Sequence, residues 1–181
     1  MEEEKKLVQK AKKGEREAFG ELYKKYFQRI YRYCFFNTKN EEHAKDICQE
    51  SFVKAWKKLS TFNTYGKWSF QAYLFAIARN QIIDDYRKKK DADISDFENL
   101  ADTFDLYDDF ERKNNIQKVR NILAKLNEEE RNIIVLRYFE ELPSQEVAEI
   151  LGLKDGALRV RTHRIIEKVK ILFEEQYGKR N

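Results

Sequence analysis

One proline and six glycines in 181 residues leave few places to break a helix or turn a hairpin. A many-stranded sheet needs such punctuation at every turn, so their scarcity points to long helices. Cysteine is also scarce, at two. Cys34 and Cys48 stand on apolar helix faces and read as reduced core thiols. No Cys-x-x-Cys pair or His/Cys cluster offers a zinc site, so neither metal nor cofactor is expected. No run of eighteen apolar residues occurs, which excludes a helix crossing a bilayer. The first residues, MEEEKKLVQKAKKGE, carry no apolar stretch of the kind a signal peptide needs, so the chain is expected in the cytoplasm. Gly-rich phosphate loops, nucleophile–base signatures and metal-ligand spacings are missing too, which argues against an enzyme and a small-molecule substrate.

Apolar residues make up 41% of the chain, with 13 Phe and 10 Tyr, enough for a core, while 38% are charged and must face water. The net charge of +4 conceals a pattern. Residues 1–90 carry 21 Lys and Arg against 12 Asp and Glu, a net of +9. Residues 91–111 carry nine acids and no base, and residues 112–181 carry 15 bases against 11 acids. A charge sign that alternates by block marks separate partners or a linker.

Helical spacing runs through the first block. Phe19, Leu22, Tyr23, Tyr26, Phe27, Ile30 and Cys34 form one buried face. Ala44, Ile47, Cys48, Phe52, Ala55, Trp56 and Leu59 form a second, with Asn40 as its N-cap and Glu41 and Glu42 in its first turn. Phe70, Leu74, Ile77, Ala78 and Ile82 form a third, which ends in the basic run Arg87-Lys88-Lys89-Lys90. A polar loop from Ser60 to Lys67 joins the last two. The acidic stretch 91–111 keeps no helical stripe for two turns and reads as a flexible linker. The fold class is therefore all-α, with helical domains at 1–90 and 112–181.

The second domain has more specific grammar. Ile122, Leu123 and Leu126 form a short face, and Ile133, Ile134, Leu136 and Tyr138 are expected to pack in the next helix. Leu142-Pro143-Ser144 breaks that helix, and Ser144 is expected to cap the short one that follows. Val147, Ala148, Ile150 and Leu151 then lead to Gly152, suited to a left-handed C-terminal turn. A longer basic helix follows, burying Leu158, Thr162, Ile165, Val169 and Leu172. This is the form of a helix-turn-helix, in which the small Ala148 lets two helices cross closely. The opposite face of the last helix carries Arg159, Val160, His163 and Arg164. Arginine can grip guanine edges bidentately and cations pair with phosphates. The plainer alternative is a solvated basic helix closing a bundle.

Leu126-Asn127-Glu128-Glu129-Glu130-Arg131, Ile134 to Phe139 and Ser144 to Gly152 together resemble the sigma-four domain of extracytoplasmic-function sigma factors of bacterial RNA polymerase. Ala44 to Trp56 resembles the sigma-two helix that docks on the polymerase. Phe70 to Asn80, continued through Asp84, Tyr86 and Arg87, resembles the helix that reads the upstream promoter strand. The resemblance spans nearly the whole chain, in order.

It implies that Asp46, Gln49 and Glu50 meet a basic coiled-coil helix pair of the polymerase core, where carboxylates and an amide form charge-assisted bonds. It implies that Asn80 contacts a base, while Arg79, Arg87 and Lys88 hold phosphates. Phe62, Asn63, Tyr65 and Trp68 would form a pocket for a flipped minus-ten base, although Phe62 and Trp68 would serve equally to cover a helix junction. The acidic linker would lie along positively charged polymerase channels, and its roughly 70 Å reach exceeds the roughly 60 Å between promoter elements. An anti-sigma factor is an implied partner. Three positions depart from the family pattern. Lys154 and Ala157 stand where hydroxyl residues are common, so capping is expected to pass to Asp155 and phosphate contact to Lys154. Tyr73 stands where Trp is usual. The competing reading is a stand-alone helix-turn-helix regulator, which would bind DNA without polymerase.

Overall fold

The computed structural model describes residues 2–38, 40–64, 66, 68–90 and 110–178, the side chains of 88–90 and 110–113 excepted. The chain divides into two compact units, Met1–Leu100 and Ala101–Asn181. Among the described residues all regular structure is helical, as the shortage of turn residues implies. The linker expected at 91–111 falls outside the described residues, apart from the backbone of its last two positions.

In the first unit α1 (Glu2–Lys12), α2 (Arg16–Asn37), α3 (Glu41–Lys58) and α4 (Phe70–Lys90) pack together, with a short 3₁₀ turn at Leu59–Thr61. Aromatic rings fill the space between helices. Tyr33 meets Phe75 edge-on at 5.4 Å, Tyr23 lies 4.7 Å from Phe52, and Tyr26 lies 6.0 Å from Phe70. Leu22, Ile30, Leu74 and Ala78 are wholly buried among them. Each large apolar side chain buried in this way contributes about 1.5–3 kcal/mol. Asn40 caps α3 as expected, its side chain accepting from the His43 amide at 2.8 Å. Two bonds fasten the far end of α4. His43 Nε2 lies 3.0 Å from Asp85 Oδ2, and the Tyr86 hydroxyl donates to the Asn37 carbonyl at 3.1 Å.

Helix α1 escaped the sequence reading, because its eleven residues hold only Leu7, Val8 and Ala11 as apolar anchors. Polar bonds complete its attachment. Glu4 accepts from the Tyr26 hydroxyl and pairs with Lys25 at 2.9 Å, while Lys12 Nζ donates to the Phe62 carbonyl at 2.6 Å.

The second unit comprises α5 (Phe110–Ala124), α6 (Glu128–Ile134), α7 (Ser144–Leu151) and α8 (Asp155–Tyr177). A capping box starts α6: Asn127 accepts from the Glu130 amide at 2.9 Å, and Glu130 accepts from the Asn127 amide at 3.0 Å. The Arg131 guanidinium donates to the carbonyls of Leu123 and Leu126, both at 3.0 Å, closing the end of α5. Helix α6 then widens into a π-helical turn, Val135–Phe139. That turn corrects one expectation. Tyr138 was expected in the core with Leu136, but the wider turn breaks the 3.6-residue phase and leaves it 51% exposed.

Gly152 adopts the left-handed backbone (φ 67°, ψ 31°) that ends α7, and the Leu153 amide reaches back to the Ala148 carbonyl at 2.8 Å. Ala148 is 3% exposed at the junction, and Leu158 and Ile165 anchor α8, with Thr162, Val169 and Leu172 half-buried beside them. Ala148→Leu should overpack this junction and lower stability by about 1–3 kcal/mol, read as a shifted urea midpoint.

Both cysteines are free thiols in the core. Burial pushes the Cys48 thiol up to about 12, and burial raises Cys34 well above its usual range. A raised thiol pKa keeps the group protonated well past neutrality. Both should therefore resist a thiol-reactive chromogenic disulfide at pH 8 in the native protein and react fully once urea unfolds it. Rapid native labelling at pH 8 would contradict this.

Candidate functional site

Three surfaces carry the residues singled out by sequence. The first is the outer face of α8. Arg159, Val160, His163 and Arg164 are all exposed there, and so is Lys154, just before the helix. The unit sorts its cations before presenting them. Arg161 pairs with Glu129, and Lys168 with Glu130 at 2.7 Å, so both lean toward α6. Lys170 pairs with Glu167 at 2.8 Å, and Arg159 with Asp155 at 2.7 Å. Of the six Lys and Arg in residues 154–170, Lys154 and Arg164 form no ion pair among the described residues. The sequence count alone overstated the exposed positive charge.

A concavity of about 250 Å³ adjoins this face, lined by Arg137, Tyr138, Ser144, Arg159, Thr162 and His163. Sequence reasoning missed Arg137 and Tyr138, because the π-turn that exposes the tyrosine leaves no mark in the apolar pattern. The guanidinium of Arg137 donates to the Leu142 carbonyl, bracing the loop before α7.

The caps of this motif also differ from expectation. Pro143 is the N-cap of α7 and Lys154 the N-cap of α8, and neither position makes a side-chain cap bond. Ser144 and Asp155 are instead the first residues of their helices, and the Ser144 hydroxyl donates to Asp155 Oδ1 at 2.6 Å. Each side chain ties the start of one helix to the start of the other. The Ser144 hydroxyl and the Arg159 guanidinium hold the Asp155 carboxyl below its usual range.

The second surface is the outer face of α3. Asp46, Gln49 and Glu50 are exposed along it, opposite the buried Ile47, Cys48 and Phe52. Glu50 pairs with Lys54 one turn on, at 3.3 Å. Beside Gln49 the surface dips into an apolar groove of about 420 Å³, formed by Phe19, Tyr23, Phe52, Val53 and Trp56. The 4.8 Å approach of Phe19 to Trp56 forms part of its wall.

The third surface lies on α4 and the loop before it. Asn80 and Arg87 are exposed, and Arg79 is half-buried with its Nε lacking a hydrogen-bond partner. Asn63 is exposed and Trp68 half-exposed. Phe62 is only 8% exposed, its ring 4.7 Å from Tyr73 and 5.9 Å from Phe70. It packs over the helix junction, the second of the two roles weighed for it, and offers no open face to a base. Tyr73 is the ring it rests on. Tyr65 lies outside the described residues, as does the side chain of Lys88.

Comparison with known proteins places the chain in a family. Residues 22–92 match Sigma-70 region 2, and residues 116–169 match Sigma-70, region 4. The ECF RNA polymerase sigma factor SigW of Bacillus subtilis is 33% identical, over 88% of this chain and 91% of its own. The chain belongs to the ECF RNA polymerase sigma factors. The RNA polymerase sigma factor YlaC of the same species is 35% identical, over 82% of this chain and 88% of its own. Among solved structures, CnrH in complex with the cytosolic domain of CnrY has a TM-score of 0.77 at 25% identity, covering 96% of this chain and 99% of that one.

A sigma factor directs core RNA polymerase to promoters and begins transcription without catalysing a covalent step. Surface complementarity therefore carries its chemistry, and the stand-alone regulator is not favoured. No helix among the described residues is long and apolar enough to cross a membrane.

The Ser144–Asp155 bond makes a prediction for this sigma factor. A lowered folded pKa means the contribution is complete above the unfolded aspartate value of 3.8 and is lost as pH falls through the lower folded value. In a carboxyl-detected NMR titration, Ser144→Ala should move the Asp155 midpoint upward. An unchanged midpoint would show that the hydroxyl does not hold the carboxylate in solution.

Proposed function

We propose that this sigma factor divides its labour among the three surfaces. Asp46, Gln49 and Glu50 dock on the polymerase core. Asn80 reads a base of the minus-ten element with Arg79, Arg87 and Lys88 on phosphates, and the loop offers Asn63, Tyr65 and Trp68 to a flipped base. Phe62 supports that loop from beneath. Arg164, Arg159, Val160, His163 and Lys154 bind the minus-thirty-five duplex, with Arg137 and Tyr138 joining them at the rim. The working boundaries are 1–90, 91–111 and 112–181, with the acidic segment as tether.

The observation that supports this reading most is the sorting of charge on α8. Arg161, Lys168 and Lys170 are cancelled within the fold, whereas Lys154 and Arg164 are left exposed without a carboxylate. Bare cations on an outward face need break no ion pair to meet a partner, and phosphates and guanine edges are the acceptors that suit them.

The protein acts in the cytoplasm, where polymerase and promoters are. CnrH is seen with the cytosolic domain of CnrY, and a comparable anti-sigma protein would hold this chain inactive until an envelope or environmental stress releases it.

Purified core polymerase and run-off transcription on promoters of the source genome test the whole reading; absence of stimulation on every promoter would end it. Two substitutions test the division of labour. Glu50→Ala should weaken core binding by about tenfold, as expected for truncating one member of a charge-assisted pair. Arg164→Ala should cost roughly 1–3 kcal/mol of upstream-duplex binding and leave core affinity intact. An identical core-binding defect in both variants would refute the assignment.

A further inference from the structure

One cation in the first unit bridges two of the proposed surfaces. Lys54 stands on α3 one turn beyond Glu50, with its ammonium 3.3 Å from Glu50 Oε1. The same ammonium donates to Gln81 Oε1 on α4. Gln81 is 6% exposed, and its Nε2 is buried with no hydrogen-bond partner, so the bond from Lys54 orients this amide. Gln81 follows Asn80 directly, and Asn80 is exposed. A single positive charge is thus divided between a carboxylate on the docking face and an amide that anchors the reading helix.

The two acceptors are unequal. A carboxylate draws an ammonium more strongly than a neutral amide does. We propose that Lys54 is a positioning residue that couples polymerase docking to promoter reading. A basic group of the polymerase that engages Glu50 takes the carboxylate from Lys54. The ammonium, no longer shared, then holds Gln81 alone and fixes the stretch of α4 that presents Asn80. Linkage makes the coupling reciprocal, so binding of the promoter strand tightens docking by the same factor. The proposal rests on Glu50 as a docking residue and Asn80 as a base contact. Its size is modest, about two- to threefold, because an exposed pair one helical turn apart contributes little in water.

The test uses the full chain without polymerase. A fluorescent single-stranded oligonucleotide is taken from the minus-ten region of a promoter that core polymerase transcribes with this chain in run-off assays, and its affinity is read by anisotropy. Glu50→Gln imitates docking by removing the competing charge, and should tighten binding two- to threefold. Lys54→Met should abolish that gain in the double variant, and Lys54→Arg should restore it. A role confined to holding the fold together could not produce a gain.

Two results would overturn the coupling. One is no change with Glu50→Gln. The other is an equal gain in the Lys54→Met background, which would mean that losing any negative charge suffices. Asn80→Ala and core binding by Glu50→Ala serve as separate arms. If Asn80→Ala left oligonucleotide binding intact, or Glu50→Ala left core binding intact, the underlying assignment would fail, and the coupling with it.

Discussion

A helix that buries one face must show the other, and the aromatic rings between α2, α3 and α4 decide which face is shown. Tyr23 against Phe52 and Tyr33 against Phe75 set the rotational phase of α3 and α4. Once Ile47, Cys48 and Phe52 point inward, Asp46, Gln49 and Glu50 have nowhere to go but out. The same holds for Asn80, displaced from the buried Ala78 by two residues. Phe52, Tyr33 and Phe75 are buried rings, so a slip of one residue in α3 would drive a carboxylate into the core at a cost of several kcal/mol. The proposed docking and reading faces are therefore consequences of packing, even though Asp46, Gln49, Glu50 and Asn80 are themselves exposed.

The second unit reaches a similar result with charge. Apart from α8, its helices have 15 residues or fewer, and it contains fewer aromatic rings to hold phase. Bonds between helices supply what packing does not: Arg131 on the end of α5, Ser144 on Asp155, Arg161 on Glu129 and Lys168 on Glu130. Exposed pairs such as these are each worth little. Their larger effect is on what remains. By drawing Arg161 and Lys168 toward α6, the fold concentrates uncompensated charge at Arg164 and Lys154. The π-turn contributes in the same direction, since it turns Tyr138 out of the core and sets Arg137 against the loop before α7.

Much of this was legible in the sequence, and the limits have physical causes. The stripes Phe19 to Cys34, Ala44 to Leu59 and Leu158 to Leu172 were readable because each spans several turns at one period. The Asn40 cap and the Gly152 turn were readable because they depend on neighbours within a few residues. Helix α1 was not, since its stability comes from Glu4 on Tyr26 and Lys12 on Phe62, twenty-two and fifty residues away. Ser144 and Asp155 suit N-caps by type, yet each prefers the other across eleven residues, and local rules do not weigh that choice. Tyr138 was misplaced because one widened turn resets the helical phase without altering composition. Phe62 could be read two ways, and only the position of Tyr73 beneath it distinguishes them. Apart from the local turn at Tyr138, the missing term is a contact between residues ten or more positions apart.

The cancellation of charge within α8 also bears on selectivity. Non-specific affinity for DNA rises with the number of phosphates a protein neutralises, because each releases condensed counterions. A segment 154–170 that left all six of its Lys and Arg bare would bind any duplex, and salt would weaken it steeply. Here intramolecular carboxylates occupy four of them, so under the proposed reading fewer counterions would be released. On the proposed reading, affinity would then come from a small set of geometrically demanding contacts at Arg164, Arg159 and their neighbours. Arg159 is the instructive case: to contact DNA, as proposed, it would have to leave Asp155, so part of any gain from a new acceptor is spent on breaking that pair. An internal ion pair lowers the affinity of a cation for every acceptor alike, so selectivity between acceptors has to come from the geometry of the contacts themselves.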